Sequence, residues 1–537
     1  MGALTLKSFP FELRGWDIEK FESIDPTDGF GLSTRVYISK QQIIQIEPDH
    51  SKNTTKIWLS DKGRQFFDGV TTTLNHENNT FKKDFWQRDI KNLLKILYLY
   101  DHCSVKTKKT YILTVVFENL GLEMLSLLKI LEQSYPLLRL RRDEKSQSTN
   151  DLEFNFQLNS ATNPNQLKLS TLCLLVSTNP RYEGYNLNLD LRQRYLKGNF
   201  KCLSLGSATD LTFPSVNIGT NLQVLKSIAE GNSYVCQDFK GSKNPILIFN
   251  NDLCKRTLSA AVIEMIKTFS TANTLNLNWN GLNILSSTLN EVGTLTIENF
   301  SALTSKDFKT LSSFYFINVN LQQVPYLKKL TEAKLLGYQE SKTAETPRIP
   351  RLLIDQNSSR TDNKGFWEFS LKTLDFKQYS FFPTKMFYEN EEVFLNTEGL
   401  IKRTSRLITK RKTRDGWKLL RNLIKNLKMS HNCLNIDNKL VLSFSLDNHN
   451  KFSTFVNFQF RAIEKLENVT HSLTSKNQPF FIYRTNQFKS KVVKLENTKL
   501  KYFIDDFFSG GKDQYSRNSL VLANCSKILR TQSTNFF

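Results

Sequence analysis

The sequence predicts an α/β fold: a multi-lobed body of parallel strands flanked by helices, led by a small β-rich subdomain. Three observations predict it. Short apolar runs of strand length alternate with segments of helical periodicity through the first half of the chain. Two β-branched, aromatic-rich runs near residue 40 bracket a short polar break, the pattern of a hairpin. No apolar run approaches the roughly 18 residues a membrane helix needs. A chain of 537 residues is then expected to fold around more than one core.

The elements follow in order. Residues 1–20 alternate apolar and charged groups without a clean period, which predicts an extended lead-in segment. The β subdomain covers 21–75: a strand over 34–38, a turn at 39–41, a strand over 43–46, and a stop at Pro48-Asp49-His50. The α/β body covers 76–485. It starts with Phe85, Ile90, Leu93, Leu94, Leu97 and Tyr98 on one helical face, then a strand over 111–117 and a helix carrying Leu122, Leu125, Leu128, Ile130 and Leu131. The alternation recurs as strand 172–177, helix 186–196, strand 200–205, helix 222–229, strand 246–249 and helix 259–268. Such spacing implies one parallel sheet with helices on its faces and right-handed crossovers. Residues 270–390 are assigned no role, except that 340–365, rich in Ser, Thr, Pro, Arg and Lys, mark a lobe boundary. A helix with Trp417, Leu420, Leu423, Ile424 and Leu427 on its face follows, and 486–537 form a C-terminal module.

Composition narrows the function. The formal charge of +22, from 73 basic and 51 acidic residues, invites a nucleic-acid partner. Abundant Phe, Lys and Asn beside scarce Gly, Pro and Ala match AT-rich codons of the kind organellar genomes favour, which accounts for much of the excess without any partner. The seven cysteines are scattered with no C-x-x-C pair, which excludes a zinc ribbon or a self-contained ferredoxin-type cluster and gives no disulfide framework. Gly29-Phe30-Gly31 lacks the third glycine of a dinucleotide fingerprint, and Gly510-Gly511-Lys512 is followed by Asp513 rather than Ser or Thr. His102-Cys103 and His431-x-Cys433 are isolated pairs, and the histidines form no H-E-x-x-H. The run Lys402-Arg403, Arg406, Lys410-Arg411-Lys412, Arg414 has few aromatics for base stacking, so a solvated face or a dock for an acidic neighbour is the expected reading. The N-terminus, with Glu12, Asp17, Glu19 and Glu22, does not read as a transit peptide.

Several segments carry a resemblance. Gly2-Ala3-Leu4-Thr5 with Phe9-Pro10-Phe11, then Arg14-Gly15-Trp16 and Glu22-Ser23-Ile24-Asp25, are similar to a junction in the large iron–sulfur subunit of respiratory complex I. Trp58-Leu59-Ser60-Asp61-Lys62-Gly63-Arg64, followed by an aromatic and Asp68-Gly69, resembles that family's W-I-S-D-K-T-R. Ser177-Thr178-Asn179-Pro180-Arg181-Tyr182-Glu183 resembles its G-T-N-P-R-Y-E, Asn396-Thr397-Glu398-Gly399 its N-T-E-G and Asp415-Gly416-Trp417-Lys418 its E-D-W-K. Ser516-Arg517-Asn518-Ser519 with Ala523 and Cys525 matches its terminal motif, all in the family's order.

The resemblance implies a fold of the molybdopterin-oxidoreductase type (formate dehydrogenase or DMSO reductase-like) that has lost its reaction. Active relatives hold a tetranuclear cluster with cysteines where this chain has Ile24 to Gly31 and Ser60, none of them a thiol. Ser60 and Lys62 are therefore expected to be vestigial, with Lys62 kept for packing or an ion pair. Asn179 and Arg181 lie in a loop of the kind that seats a pterin dinucleotide in active relatives, and are expected here to be a rigid turn and an ion-pair partner. The implied role is a structural part of the matrix-side peripheral arm at the mitochondrial inner membrane. No catalytic residue, metal or cofactor is expected on this chain. Iron–sulfur clusters are expected on a separate partner chain, the other half of a split subunit, docked on Gly2, Ala3, Leu4, Thr5, Phe9, Phe11 and Trp16, with further complex I subunits as neighbours. The alternatives from other classes are an active molybdopterin oxidoreductase and a basic organellar RNA-binding protein.

Overall fold

The computed structural model describes residues 13–51, 58–69, 113–117, 120–134, 138–142, 166–206, 210–251, 253, 262, 265–266, 275–276, 279–297, 300–303, 313–317, 352–356, 378–382, 385, 387–408, 415–430, 516 and 519–534. After a single 3-10 turn at Gly15–Asp17, the strands β1 (Glu19–Ile24), β2 (Ser33–Ser39) and β3 (Gln42–Pro48) form an antiparallel meander. Lys40 and Gln41 both take positive φ, +47° and +65°, the twist a two-residue hairpin turn requires. Thr34, Val36 and Ile38 alternate inward, as the period of two demands. The core beneath is completed from far along the chain: Phe66, Tyr388, Phe394, Leu407, Ile408 and Leu522 pack with Ile24, Val36 and Ile46.

Two five-stranded, wholly parallel sheets build the body where the sequence pattern implied one. The first has the order β15-β14-β13-β4-β5, from β4 (Leu113–Phe117), β5 (Leu138–Arg142), β13 (Ser313–Ile317), β14 (Leu352–Gln356) and β15 (Gln378–Phe382). The second has the order β12-β9-β6-β7-β8, from β6 (Leu172–Val176), β7 (Lys201–Leu205), β8 (Val216–Gly219), β9 (Ile246–Asn250) and β12 (Leu282–Leu285). All strands of the second sheet fall between β5 and β13 in sequence, so it is an insertion into the first. Its two ends are stitched together: the Arg142 amide donates to Ser301 O at 3.0 Å, the Leu303 amide donates to Arg142 O at 2.9 Å, and the Arg142 guanidinium pairs with Glu291 at 3.7 Å.

The apolar runs at 172–176 and 246–250 are buried along their whole length because helices cover both faces. Leu172, Leu174 and Val176 enter one core with Leu225 and Ile228 of α6 (Leu222–Ala229) and Phe239 of α7 (Val235–Gly241). Cys173 and Leu175 enter the other with Leu187 and Leu191 of α5 (Tyr185–Leu196). The remaining elements are α1 (Asp61–Gln65), α2 (Leu122–Ser134), α3 (Gln166–Leu169), α4 (Pro180–Glu183), α8 (Glu291–Ile297), the ribbons β10 (Leu275–Asn276) with β11 (Trp279–Asn280) and β16 (Val393–Leu395) with β17 (Ile401–Arg403), α9 (Gly416–Ser430) and α10 (Leu520–Thr534).

The expected helices over 85–98 and most of 259–268 lie outside the described residues. So do the region from 70 to the end of the β subdomain at 75 and most of the lobe boundary at 340–365. Residues 270–390, unassigned from sequence, supply β12 to β15, which complete both sheets. The chain divides into a unit of 1–424 with 495–537 and a second unit of 425–494, of which the end of α9 is described. The C-terminal helix α10 packs on the β subdomain, with Leu522 in that core.

Candidate functional site

The loop joining β1 to β2 is buried over residues 23–32. Two carboxylates fold it. Asp25 Oδ1 accepts from the Thr27 amide at 2.9 Å and the Thr27 hydroxyl at 2.7 Å, and Asp28 Oδ1 accepts from the amides of Phe30 and Gly31 at 3.0 and 3.3 Å. The segment 60–63 lies against this loop, and Gly63 must be glycine because a Cβ there would collide with the Asp25 carboxylate. Ser60 caps α1, its hydroxyl accepting from the Gly63 amide at 3.0 Å. Burial first, then the charge of Asp25, pushes the Asp28 carboxyl up to about 8, against the pull of the Phe30 and Gly31 amides and the buried Lys62 ammonium. Burial, then Asp28 and Asp25, also raises the Tyr185 phenol well above its usual range. Ser60 and Lys62, far from Asp25 and Asp28 in sequence, therefore share one buried polar cluster with Tyr185. Its chemistry is that of one carboxyl, Asp28, and a phenol, Tyr185, that keep their protons near neutrality.

The second candidate lies where strand order reverses in the inserted sheet, between β6 and β9, the position at which open α/β sheets bind ligands. Asn179 caps α4, its Oδ1 accepting from the Arg181 amide at 3.2 Å. Glu183 closes the loop on itself: one carboxylate oxygen accepts from the Thr178 hydroxyl at 2.9 Å and the Asn179 amide at 3.0 Å, the other from Asn250 at the end of β9. Arg181 turns outward to Asp210 at 2.7 Å. The Thr212 amide first, and Arg181 next, hold the Asp210 carboxyl below its usual value. Asn251, beside the crevice, has both amide atoms buried without a partner.

The corresponding reversal in the first sheet, between β4 and β13, is also filled from within. Glu123, in the first turn of α2, accepts from the Val393 amide at 3.1 Å, and Asn290 holds Leu395 at 2.8 Å while its Nδ2 reaches Leu120 O. Burial first, and the charge of Glu392 next among the raising causes, pushes Glu123 up to about 8.

Residues 396–399, a motif to which the sequence assigned no task, join the parts. Asn396 Nδ2 donates to Phe30 O at 2.9 Å, the Thr397 backbone amide to Gly29 O at 2.8 Å, and the Ser286 backbone amide to the Thr397 hydroxyl at 3.2 Å. This loop staples the β subdomain to the end of the inserted sheet. Ser519 and Asp68, from two other motifs, meet at 3.2 Å. Of the expected docking residues, Gly2, Ala3, Leu4, Thr5, Phe9 and Phe11 lie outside the described residues, and Trp16 is 83% exposed. In the basic run, Arg403 pairs with Glu391 and Arg406 with Asp415, while 410–414 lie outside the described residues.

Comparison with known proteins matches residues 104–337 to the molybdopterin oxidoreductase family. The NADH-ubiquinone oxidoreductase 75 kDa subunit of Reclinomonas americana is 33% identical over 315 residues, 55% of this chain and 45% of that one. The mitochondrial NADH dehydrogenase [ubiquinone] iron–sulfur protein 1 of Solanum tuberosum is 24% identical over 79% of this chain and 53% of that one. The mitochondrial NADH-ubiquinone oxidoreductase 78 kDa subunit of Neurospora crassa is 26% identical over 55% of this chain and 40% of that one. The chain spans about half the length of the curated relatives it matches. Residues 104–337 thus resemble a molybdopterin oxidoreductase domain, and the mixed α/β architecture agrees with the fold expected from sequence.

The residues present do not fit the groups that this fold family implies. An iron–sulfur cluster needs thiolates, and the first cysteine of the chain is Cys103, beyond both the 24–31 loop and the 60–63 cap. A pterin dinucleotide needs donors for its phosphates. At the β6–β9 reversal the Thr178 and Asn179 donors already serve Glu183, a carboxylate that would repel a phosphate.

Proposed function

We propose that this chain, a homologue of the 75 and 78 kDa subunits of NADH-ubiquinone oxidoreductase with a molybdopterin oxidoreductase domain, is a structural part of the peripheral arm of complex I. In this reading it supports electron transfer from NADH to ubiquinone, with proton translocation belonging to the assembly, and it carries no catalytic residue and no cofactor. The observation that carries the reading is the donor chemistry of the two loops around Ser60. Where cluster-bearing relatives need sulfur, this chain has the carboxylates Asp25 and Asp28 and a capping hydroxyl. A chain without grouped thiolates serves electron transfer by framing clusters owned by a companion, holding their separation and keeping water away.

The companion proposed is the iron–sulfur half of the same subunit as a separate, cysteine-rich polypeptide, docked on the N-terminal segment that includes Trp16. The place proposed is the matrix face of the mitochondrial inner membrane. No helix among the described residues is long and apolar enough to cross a membrane, and a peripheral position does not call for one.

Native-gel migration followed by peptide identification tests the reading. Peptides of this chain are expected in the band with NADH dehydrogenase activity, together with a cysteine-rich chain. Migration with ribosomes would favour an RNA-binding role, and stoichiometric molybdenum in the purified chain would favour an active molybdopterin oxidoreductase. Either result overturns the proposal.

A further inference from the structure

Asp415, immediately before α9, is 4% exposed at its side chain and receives three cations. Lys385 Nζ lies 2.6 Å and an Arg406 guanidinium nitrogen 2.8 Å from one oxygen, and Lys418 Nζ lies 2.5 Å from the other. One cation is enough to neutralise one carboxylate. Lys385, itself only 10% exposed, is placed to do that from inside, whereas the side chains of Arg406 and Lys418 are 40% and 52% exposed. Neither has another carboxylate partner among the described residues. Among the described neighbouring acids, Glu391 is taken by Arg403, and Glu392 is pushed up to about 7 by burial first and by Asp415 next among the raising causes. Arg421 lies one helical turn along, against the Trp417 ring.

We propose that the surface formed by Arg406, Lys418 and Arg421 around Asp415 is a docking site for an acidic polypeptide segment of a neighbouring subunit, whose carboxylates complete the ion-pair cluster. A partly buried cluster with surplus cations gains more from an incoming carboxylate than an isolated surface lysine does, because Asp415 already fixes the donors in place. The flanking ring argues against nucleic acid. Lys418 Nζ stands 5.2 Å and Arg421 Cζ 5.6 Å from the Trp417 ring centroid, so both cations lie near the ring on which a base would stack. A lipid surface is disfavoured because Leu419, Leu420 and Ile424 of the same helix are already buried in the protein.

The site rests on the proposed membership of an assembly only in needing a neighbour, and the test separates the two. The assembly that contains this chain is purified by a tag on it and treated with a carbodiimide, which condenses an amine and a touching carboxylate into an amide with loss of water. Peptide mapping is expected to join Lys418 to an Asp or Glu of another polypeptide. In parallel, the full chain is titrated with polyglutamate, poly(U) RNA and phosphatidylserine vesicles. Salt-sensitive binding of polyglutamate is expected, weakened about three- to tenfold by the Arg406→Gln, Lys418→Gln pair. Cross-linking of Lys418 only within its own chain in an intact assembly overturns the inference, and so does preferential binding of RNA or vesicles that the pair abolishes. Neither outcome depends on whether the assembly has NADH dehydrogenase activity, which is the test of the reading above.

Discussion

Asp28 shows how much one buried carboxyl controls. Its folded-state value near 8 lies above the ordinary 3.8, so the folded chain binds a proton that the unfolded chain has released. The associated stability is fully present below about 3.8 and is lost as pH rises through about 8. Glu123, raised from 4.5 to about 8, acts in the same direction. Asp28→Asn keeps the acceptor for the Phe30 and Gly31 amides and removes the titration. It is expected to raise stability by roughly 1–3 kcal/mol at pH 8 and to change it little at pH 4, read as a flatter pH dependence of urea unfolding. Glu183 works through hydrogen bonds instead. Glu183→Ala leaves the Thr178, Asn179 and Asn250 donors without their acceptor and is expected to cost about 2–4 kcal/mol, with faster hydrogen exchange over 177–184. The sequence made Asn179 and Arg181 legible as a turn and an ion-pair residue. It could not identify Glu183 as the centre of that turn, because Asn250 lies 67 residues away and is brought near only by the crossing of β9 to the far side of β6. The cluster around Asp28 stayed hidden for a like reason: Lys62 reaches it from more than thirty residues along the β subdomain, and Tyr185 comes from α5 of the inserted sheet.

At the scale of elements, legibility tracked how completely a segment is buried. The hairpin of β2 and β3 and the strands β6, β7 and β9 announce themselves by alternation or by unbroken apolar runs. The edge strand β8, Val-Asn-Ile-Gly, has no such run because it is covered only in part. Two parallel sheets were read as one because an apolar run records that a strand is buried and says nothing about which strand it pairs with. The last helix shows the same limit. The Ser519 hydroxyl accepts from the Leu522 amide at 3.2 Å and donates to Asp68 at 3.2 Å, and Asp68 also takes the Val521 amide. Asp68→Ala is expected to cost about 1 kcal/mol and to fray α10, measured as lost protection of amides 521–524 with the inserted sheet unchanged.

Over the whole molecule, the two strand-order reversals are filled by the chain's own side chains, and the large exposed groups lie elsewhere. Trp16 is the most exposed of the large apolar residues described. Aromatic anchors of this kind dominate interface energies, so Trp16→Ala is expected to weaken capture of the proposed companion about tenfold or more while leaving the melting temperature of the isolated chain in place. Equal loss of both would mean that the ring supports the fold and not a partner.

The stitch between Arg142 and Ser301–Leu303 has a consequence for how the chain emerges from the ribosome. The first sheet requires β4 to wait for β13, which is made only after the whole insert has been synthesised. Closing so long a loop from an open coil carries a large entropic penalty and slows folding. An insert that leaves beside the point where it enters removes most of that penalty once it has collapsed, since its two ends then deliver β5 and β13 to the same neighbourhood. Maturation should therefore run from the inside outward, and a nascent chain halted before β13 should already shield the inserted sheet from protease while β4 stays open to attack.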